Sequence, residues 1–282
     1  MTDDQQVRRI IRQNLQMDQL LGLSEIPVPR ATIAALRARP MVQPSPPTGA
    51  SATPDDASQQ PTAVRPASGR PAAAPPHAKA ESITGDEERA ARLRVMDHDH
   101  VRDCQKCSLA QTRTNTVFGQ GSASARLVFV GEAPGFDEDR QGLAFVGRAG
   151  KLLTRMIQAM NLTREEVFIC NVLKCRPPDN RDPAPDEVSA CSPYLMQQLE
   201  IIRPEVIVAL GAPAARTLLR TTDGIGRLRG RFHDFYIDGP LGGDPTPLMP
   251  TYHPAYLLRS PQQKAKSWAD LQQVMTKLGL GQ

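Results

Sequence analysis

Four short apolar runs, separated by segments with helical spacing, constrain most strongly what this chain folds into. The runs lie in residues 126–133, 167–174 and 205–211 and, less clearly, in residues 247–254. Amphipathic segments lie between and after them. Apolar strands that alternate with helices are typical of a parallel sheet covered by helices on both faces. The pattern therefore predicts an α/β fold of three layers (α/β/α), with a central, mostly parallel sheet of four strands.

The N-terminal part of the chain has a different composition. Residues 37–82 contain no Leu, Ile or aromatic side chain and are rich in Pro, Ala, Ser and Thr, so they bury too little apolar surface to fold. Residues 5–22 have helical apolar spacing and predict a short amphipathic helix, which either docks weakly or binds a protein partner. We therefore divide the chain into a tail (1–36), a disordered linker (37–85) and a folded domain (86–282).

Charge and hydropathy exclude some classes of protein. The formal net charge of +4 permits nucleic-acid binding without requiring it. No apolar run approaches the ~20 residues that span a membrane, and the N-terminus lacks the apolar core of a secretory signal. We expect a monomeric cytoplasmic protein with no membrane association, whose five cysteines are reduced or metal-bound.

Polar side chains follow three of the four apolar runs. Glu132 comes after the first run, Asn171 lies near the end of the second, and His253 follows the last. Because ligands bind at the carboxyl ends of parallel strands, we expect these side chains to converge on one site. The Gly-rich loop that carries Glu132 also carries other acidic residues and has no Lys before its helix, which argues against a phosphate site.

Four of the cysteines have the spacing of metal ligands. Cys104 and Cys107 are separated by two residues, so both thiolates can face one metal, and Cys175 and Cys191 complete a four-thiolate set. Such a set indicates zinc or an iron–sulfur cluster first and a redox pair second. Fifteen residues separate the second pair, unlike a zinc ribbon, which favours a cluster. Cys170 lies inside an apolar run and is expected in the core.

These motifs together resemble one known family. "GEAPGFDED", "GLAFVGRAG", "NVLKCRPPDNRDP", "LGAPAARTLL" and "YHPAYLLR", with the four cysteines, are similar to the family 4 uracil-DNA glycosylases of bacteria and archaea. The resemblance runs from about Cys104 to the C-terminus. It implies the glycosylase fold, hydrolysis of the N-glycosidic bond of uracil in single- or double-stranded DNA, and a structural [4Fe–4S] cluster on Cys104, Cys107, Cys175 and Cys191.

The resemblance also implies roles for residues of the loops. Phe145 is expected to stack on the flipped base, and Asn171 to read it, because an amide both donates and accepts hydrogen bonds. His253 suits stabilisation of the oxyanion on the departing base. Glu132 and Glu138 are both candidates for orienting or activating the attacking water.

Further residues are expected to shape the site or to touch DNA. The small side chain of Ala133 lets the backbone approach the base, and Asn180 either supports the site or contacts DNA. Leu257 or Leu258 is expected to wedge into the gap left by the flipped base, with Arg259 near a phosphate. Three arginines within residues 227–231 alternate as on one strand face, where they contact the DNA backbone or lie exposed on an edge strand.

Four other functions compete with this interpretation. A related group traps the sugar covalently through a His in a basic "RRIH"-type insert near the third cysteine, but the segment here, "CRPPDNRDPAPDE", has no His. A relative with another damaged-base specificity is a second alternative. The third is a non-catalytic Fe–S or zinc DNA-binding module, which the joint presence of Glu132, Asn171 and His253 disfavours. No GxGxxG follows the first strand, which also disfavours a nucleotide-binding oxidoreductase.

Overall fold

The computed structural model describes residues 85–237 and 244–280. The predicted tail (1–36) and almost all of the predicted linker (37–85) lie outside these ranges, so both remain predictions. Among the described residues, no helix is long and apolar enough to cross a lipid bilayer.

The described part of the chain contains a six-stranded sheet, with strands in the order β1-β3-β2-β4-β6-β5. Its four inner strands, β3, β2, β4 and β6, are parallel, as predicted. The two edge strands are short and antiparallel, so the predicted four-stranded sheet is extended on both sides. The strands are β1 (Gln120–Gly121), β2 (Leu127–Gly131), β3 (Phe168–Asn171), β4 (Val206–Leu210), β5 (His233–Phe235) and β6 (Thr246–Thr251).

The helices connect the strands and cover the sheet. They are α1 (Gly85–Met96), α2 (Phe136–Gln141), α3 (Arg148–Ala159), α4 (Pro185–Ile202), α5 (Ala212–Leu219), α6 (Ile225–Leu228), α7 (Pro254–Arg259) and α8 (Lys264–Lys277). A π-helical turn (Asp97–Val101) continues α1, and 3₁₀ turns lie at Ser108–Gln111, Pro178–Asn180 and Pro261–Gln263.

Alternate residues of the central strand β2 build the two faces of the sheet. Val128 and Val130 pack into one apolar cluster with side chains of α1, α4 and α5. Leu127 and Phe129 pack into a second cluster with side chains of α3, α7 and α8. All four are buried, and each such side chain stabilises the fold by about 1.5–3 kcal/mol. The two clusters confirm the three-layer α/β/α arrangement.

The alternation of the arginines in residues 227–231 predicted that they lie on one face of a strand, and this prediction is wrong. Arg227 is in the short helix α6, which buries Leu228. Arg229 donates from Nε to the Asp270 carboxylate at 3.0 Å and leaves only 16% of its side chain exposed. A buried carboxylate needs such a partner, so Arg229 stabilises the packing of α8 and is not a free DNA contact.

Candidate active site

A cleft of about 440 Å³ lies at the carboxyl ends of β2, β3 and β6. The three polar residues predicted from the strand ends, Glu132, Asn171 and His253, all line it. Parallel strands explain this convergence, because their carboxyl ends meet at one edge of the sheet. The cleft is also lined by Ala133, Pro134, Gly135, Glu138, Phe145, Ala149, Pro177, Asn180, Arg181, Asp182, Ala255, Tyr256 and Arg259.

Asn171, the last residue of β3, presents an unpaired buried acceptor to the cleft. Its side chain is 1% exposed, and its Oδ1 atom has no hydrogen-bond partner among the described residues. Leaving such an atom unpaired costs about 1–3 kcal/mol, so Asn171 Oδ1 is a candidate acceptor for a donor on a ligand. Gly131 makes room for it, because a Cβ there would lie 2.3 Å from Asn171 Oδ1.

Phe145 forms one wall of the cleft with a constrained backbone. Its φ of 53° lies in the left-handed region, which is strained for a residue with a bulky side chain. The ring is 5% exposed, and its centroid lies 5.6 Å from that of the His253 imidazole. Gly150 permits this backbone path, because a Cβ there would lie 1.9 Å from the Phe145 carbonyl oxygen. An aromatic face is thereby fixed beside the imidazole.

His253 is the N-cap of α7, and this position fixes its proton. Nδ1 accepts a hydrogen bond from the Ala255 amide at 3.1 Å, so the neutral ring carries its proton on Nε2. Burial, with a smaller effect of nearby Arg259, lowers the pKa of His253 to about 4. The imidazole is therefore a neutral donor at physiological pH.

The two predicted glutamates have different environments. Burial first, and the neighbouring charge of Asp182 second, raise the pKa of Glu132 to about 7. Glu138, by contrast, accepts hydrogen bonds from the amides of Val146 and Gly147 at Oε1 (2.9 Å each) and of Gly135 at Oε2 (3.1 Å). Glu138 therefore holds the loop in shape, whereas the Glu132 carboxyl has no such role and its pKa lies near neutral pH.

The loop after Cys175 closes one side of the cleft. Asn180 accepts a hydrogen bond from Arg176 Nε at 2.8 Å, which fixes its side chain at the rim. Arg181 forms two hydrogen bonds with the buried carboxylate of Glu187, at 2.6 and 2.9 Å. The sequence interpretation missed Arg181 and its neighbour Asp182 as lining residues, although both lie in the quoted motif "PPDNRDP".

The residues that follow His253 and are predicted to touch DNA differ in how far they are buried. Leu257 is 0% exposed and packs in the second apolar cluster, which disfavours it as the wedge, so of the two predicted leucines Leu258 remains the candidate. The His-Pro start of α7 sets which face of this helix turns inwards. Leu258 is half-buried, and Arg259 is exposed and lines the cleft.

The four predicted ligand cysteines line one small cavity, which shares no lining residue with the cleft. Hydrogen-bond donors surround three of their sulfurs: the Lys174 amide to Cys191 (3.2 Å), the Tyr194 hydroxyl to Cys104 (3.4 Å) and the Arg113 guanidinium to Cys175 (3.5 Å). Burial raises the pKa of the Cys175 thiol to about 11 and also raises that of Cys191. Cys170 is fully buried in the first apolar cluster, as predicted.

Lys174 is a buried charge that the sequence interpretation missed. Its residue is 1% exposed, and burial lowers its pKa. Nζ donates to the Asn171 carbonyl oxygen at 2.8 Å and to Gln198 Oε1 at 2.6 Å. Gln198 in turn donates to the Phe118 carbonyl oxygen at 2.9 Å. Lys174 therefore ties the backbone of Asn171 to helix α4, which carries Cys191.

Comparison with known proteins finds similarity over the part of the chain that forms the cleft. The model of the uracil DNA glycosylase superfamily matches residues 118–272. The chain is 49% identical over 168 residues to the type-4 uracil-DNA glycosylase of Saccharolobus solfataricus, covering 58% of this chain and 76% of that protein. Identity to the type-4 enzyme of Archaeoglobus fulgidus is 46% over 178 residues, covering 62% and 87% of the two chains. Identity to the type-4 enzyme of Thermotoga maritima is 48% over 166 residues, covering 57% of this chain and 81% of that protein.

Proposed function

The chain belongs to the type-4 family of the uracil-DNA glycosylase superfamily, and we propose that its cleft binds a uracil flipped out of DNA and hydrolyses its N-glycosidic bond. The products are free uracil and an abasic site, and the reaction is the first step of base excision repair. A glycosylase must take the base out of the stack to reach this bond. The cleft volume of about 440 Å³ lies in the usual range for small-ligand pockets.

Asn171 distinguishes uracil from cytosine in this proposal. Uracil offers a donor at N3 and an acceptor at O4, so Asn171 Oδ1 accepts from N3 while its amide nitrogen donates to O4. Cytosine presents the opposite pattern and would leave the buried amide unpaired, which is a strong basis for rejection. The unpaired Oδ1 atom at 1% residue exposure supports this role. Phe145 supplies the stacking face, and Ala133 keeps the backbone close to the base.

His253 stabilises the departing base. Bond cleavage places negative charge on uracil, and a preorganised donor stabilises such charge in a site that excludes water. The imidazole is neutral, with its proton on Nε2, because Nδ1 is occupied by the Ala255 amide. A pKa of about 4 keeps it in this form across the physiological range. His253 therefore donates a hydrogen bond and does not transfer a full proton.

Glu132 acts on the water in this proposal. Its carboxylate stabilises the cationic sugar and accepts a proton as the water attacks, which suits a group whose pKa is about 7. Glu138 has three backbone hydrogen bonds and positions the loop. Asn180 at the rim supports the bound nucleotide, and the exposed Arg259 and half-buried Leu258 face the DNA strand.

The four-cysteine cavity is proposed to hold a [4Fe–4S] cluster. The donor set fits, because four thiols line one cavity and three sulfurs accept hydrogen bonds of the kind that stabilise cluster thiolates. In residues 85–237 and 244–280, no three Cys, His, Asp or Glu side chains are placed to hold a single metal ion. A zinc site needs its sulfurs about 3.8 Å apart, given Zn–S bonds of about 2.3 Å, whereas a cluster of several iron ions separates them more. The bound cluster crosslinks three segments and has a structural role.

One observation carries the proposal: the same cleft contains a buried Asn171 oxygen without a hydrogen-bond partner and a neutral His253 that can donate a hydrogen bond. The test is release of free uracil from an oligonucleotide with one uracil, in single- and double-stranded form. We expect release by the wild-type protein and a loss of at least a hundredfold in kcat/KM for Asn171→Ala and for His253→Ala, as for removal of an oxyanion donor.

The matched control is His98→Ala, because His98 is exposed, pairs with Asp99 and lies outside the cleft. It should retain wild-type activity. No uracil release by a cluster-loaded protein on either substrate would overturn the proposal and favour the binding-module alternative. A covalent protein–DNA adduct without free uracil would favour the trapping alternative, which the absence of His from residues 175–187 opposes.

A further inference from the structure

Phe136 is an exposed aromatic residue beside the cleft. Its side chain is 54% exposed, whereas the neighbouring aromatic Phe145 is 5% exposed. It is the first residue of α2 and directly follows Gly135, which lines the cleft. Adjacent Cα atoms are about 3.8 Å apart, so the backbone of Phe136 lies next to a lining residue of the cleft. A single exposed phenylalanine is not unusual in itself, so the inference depends on what surrounds this ring.

Two arginines flank this ring. The guanidinium carbon of Arg176 lies 5.3 Å from the ring centroid, and that of Arg140 lies 5.6 Å from it. Arg176 comes from the loop that follows β3, so the cluster joins two segments of the chain. Guanidinium groups and aromatic rings are the two kinds of side chain on which unpaired nucleobases stack. We refer to Phe136, Arg140 and Arg176 as the aromatic platform.

The aromatic platform is continuous with the proposed active site. Arg176 donates a hydrogen bond to Asn180, which lines the cleft, and the next residue in the chain, Pro177, lines the cleft as well. The platform therefore adjoins the cleft on both of its contributing segments. The exposed carboxylate of Asp137 directly follows Phe136 in the sequence. It weakens the attraction for a phosphate and leaves stacking as the favoured contact.

We propose that the aromatic platform binds the unpaired nucleobase next to the flipped uracil on the same strand. This inference rests on the proposed function, because uracil in the cleft sets where the neighbouring nucleotide lies. A base in a duplex is stacked and paired with its neighbours, so its face is not available to Phe136. The platform therefore favours single-stranded substrate over duplex, without reading the identity of the neighbouring base, since every base has a π-face.

The first test measures binding without chemistry. The probe is a single-stranded oligonucleotide with one 2′-fluoro-2′-deoxyuridine, whose glycosidic bond resists cleavage because the fluorine destabilises the cationic sugar. It is titrated against the full-length wild type, Phe136→Ala, Phe136→Leu and Phe136→Trp. Alanine substitution at a base-stacking position weakens binding by about fivefold to a hundredfold per base, and we expect this loss for Ala and Leu. Trp should restore wild-type affinity, because it keeps the π-face. Tyr236→Ala, at another exposed aromatic residue outside the cleft lining, should bind as wild type.

The second test locates the base that stacks. Single-stranded uracil substrates carry an abasic analogue on the 5′ or the 3′ side of uracil, and kcat and KM are measured for wild type and Phe136→Ala. We expect KM to rise for Phe136→Ala with kcat unchanged. On one of the two abasic substrates this rise should vanish, because that substrate lacks the base that stacks on Phe136. For duplex substrate the variant should approach wild type.

Three results would overturn the inference. They are unchanged binding of Phe136→Ala, full rescue by Phe136→Leu, and an equal loss on both abasic substrates and on duplex. The binding titration needs no glycosylase activity, so it remains decisive if the wild type releases no uracil. Failure of the proposed function and failure of the platform are thereby separate outcomes.

Discussion

The base cleft and the cysteine cavity lie at the two ends of one short segment, Asn171 to Cys175. They differ in whether the polar atoms that line them already have hydrogen-bond partners in the chain. In the cleft, Asn171 Oδ1 is buried without a partner among the described residues, and His253, which carries its proton on Nε2, lines the same cleft. In the cavity, three sulfurs accept hydrogen bonds from the chain itself. Lys174, between the two, bonds to the backbone of Asn171.

The difference matches what the proposed function requires, namely a ligand that comes and goes in the cleft and a cofactor that stays in the cavity. A buried acceptor such as Asn171 Oδ1 costs about 1–3 kcal/mol while it lacks a partner, and in the proposed function the bound base supplies the donor. Pre-formed hydrogen bonds in the cavity suit a group that stays throughout the life of the protein. The predictions below break or sharpen this contrast, starting with the largest expected effect.

Removing one ligand from the cavity should affect the whole fold. Cys191→Ser replaces one of the four proposed cluster ligands, on α4. We expect loss of the brown absorbance typical of a [4Fe–4S] cluster, sub-stoichiometric iron and a fall of several kcal/mol in the free energy of unfolding, since metal-binding energy is folding energy in such sites. The measurements are the visible spectrum, iron content and thermal unfolding. Cys170→Ala is the matched control, because Cys170 is buried in the core without being a proposed ligand. Full colour in the Cys191→Ser protein would contradict the assignment.

Filling the cleft should abolish catalysis while the cavity stays intact. A Cβ at residue 131 would lie 2.3 Å from Asn171 Oδ1 and 2.5 Å from Phe145 Cζ. We expect Gly131→Ala to lower kcat/KM at least a hundredfold, because displacements of about 1 Å have effects of this size. Colour and iron content should not change. Gly224→Ala is the control, since a methyl group there would meet no atom within 4 Å, and its activity should equal that of the wild type.

Cutting the link between the two regions should have an intermediate effect. Lys174→Met keeps the length of the side chain but leaves the Asn171 carbonyl and Gln198 Oε1 without their donor. We expect the free energy of unfolding to fall by about 1–3 kcal/mol and the preference for uracil over cytosine to weaken. Lys151→Met, at an exposed position of α3, serves as control. Unchanged base preference in a destabilised Lys174→Met protein would limit Lys174 to a structural role.

The smallest effect concerns pH. Glu132 must be ionised to accept a proton, so kcat/KM should rise with pH through a value near 7. The pKa of His253, about 4, adds no transition between pH 5 and 9. Because the charge of Asp182 contributes to the raised pKa of Glu132, Asp182→Asn should move the rise to lower pH. Glu132→Gln should remove it, and a profile unchanged in both variants would contradict the role of Glu132.

Much of the fold and the cleft could be predicted from the sequence because their signals are local. Each inner strand is a buried apolar run, and Asn171 and His253 lie at or just after the ends of such runs. The edge strands β1 and β5 have two and three residues, too few for a periodic pattern. They were therefore missed.

Other features depend on partners that are distant in sequence. Arg229 is paired with Asp270, 41 residues away, and nothing near either residue indicates it. The sequence around Lys174 does not indicate that it is buried, because its hydrogen-bond partner Gln198 lies 24 residues further along the chain. The sequence alone does not distinguish Glu132 from Glu138, because both are glutamates of the same loop. They differ in the structure because backbone amides surround the carboxylate of Glu138. Burial of Leu257 likewise depends on how α7 packs.

The bond from the Ala255 amide to His253 Nδ1 has an evolutionary consequence. One imidazole both caps a helix and, in the proposed mechanism, donates the hydrogen bond to the departing base, so selection acts on two traits through a single side chain. Asn is among the best helix N-caps, so His253→Asn can preserve the start of α7 while removing the ring donor. A descendant of this enzyme could thus lose catalysis in one step and remain folded, which leaves a DNA-binding protein open to a new use.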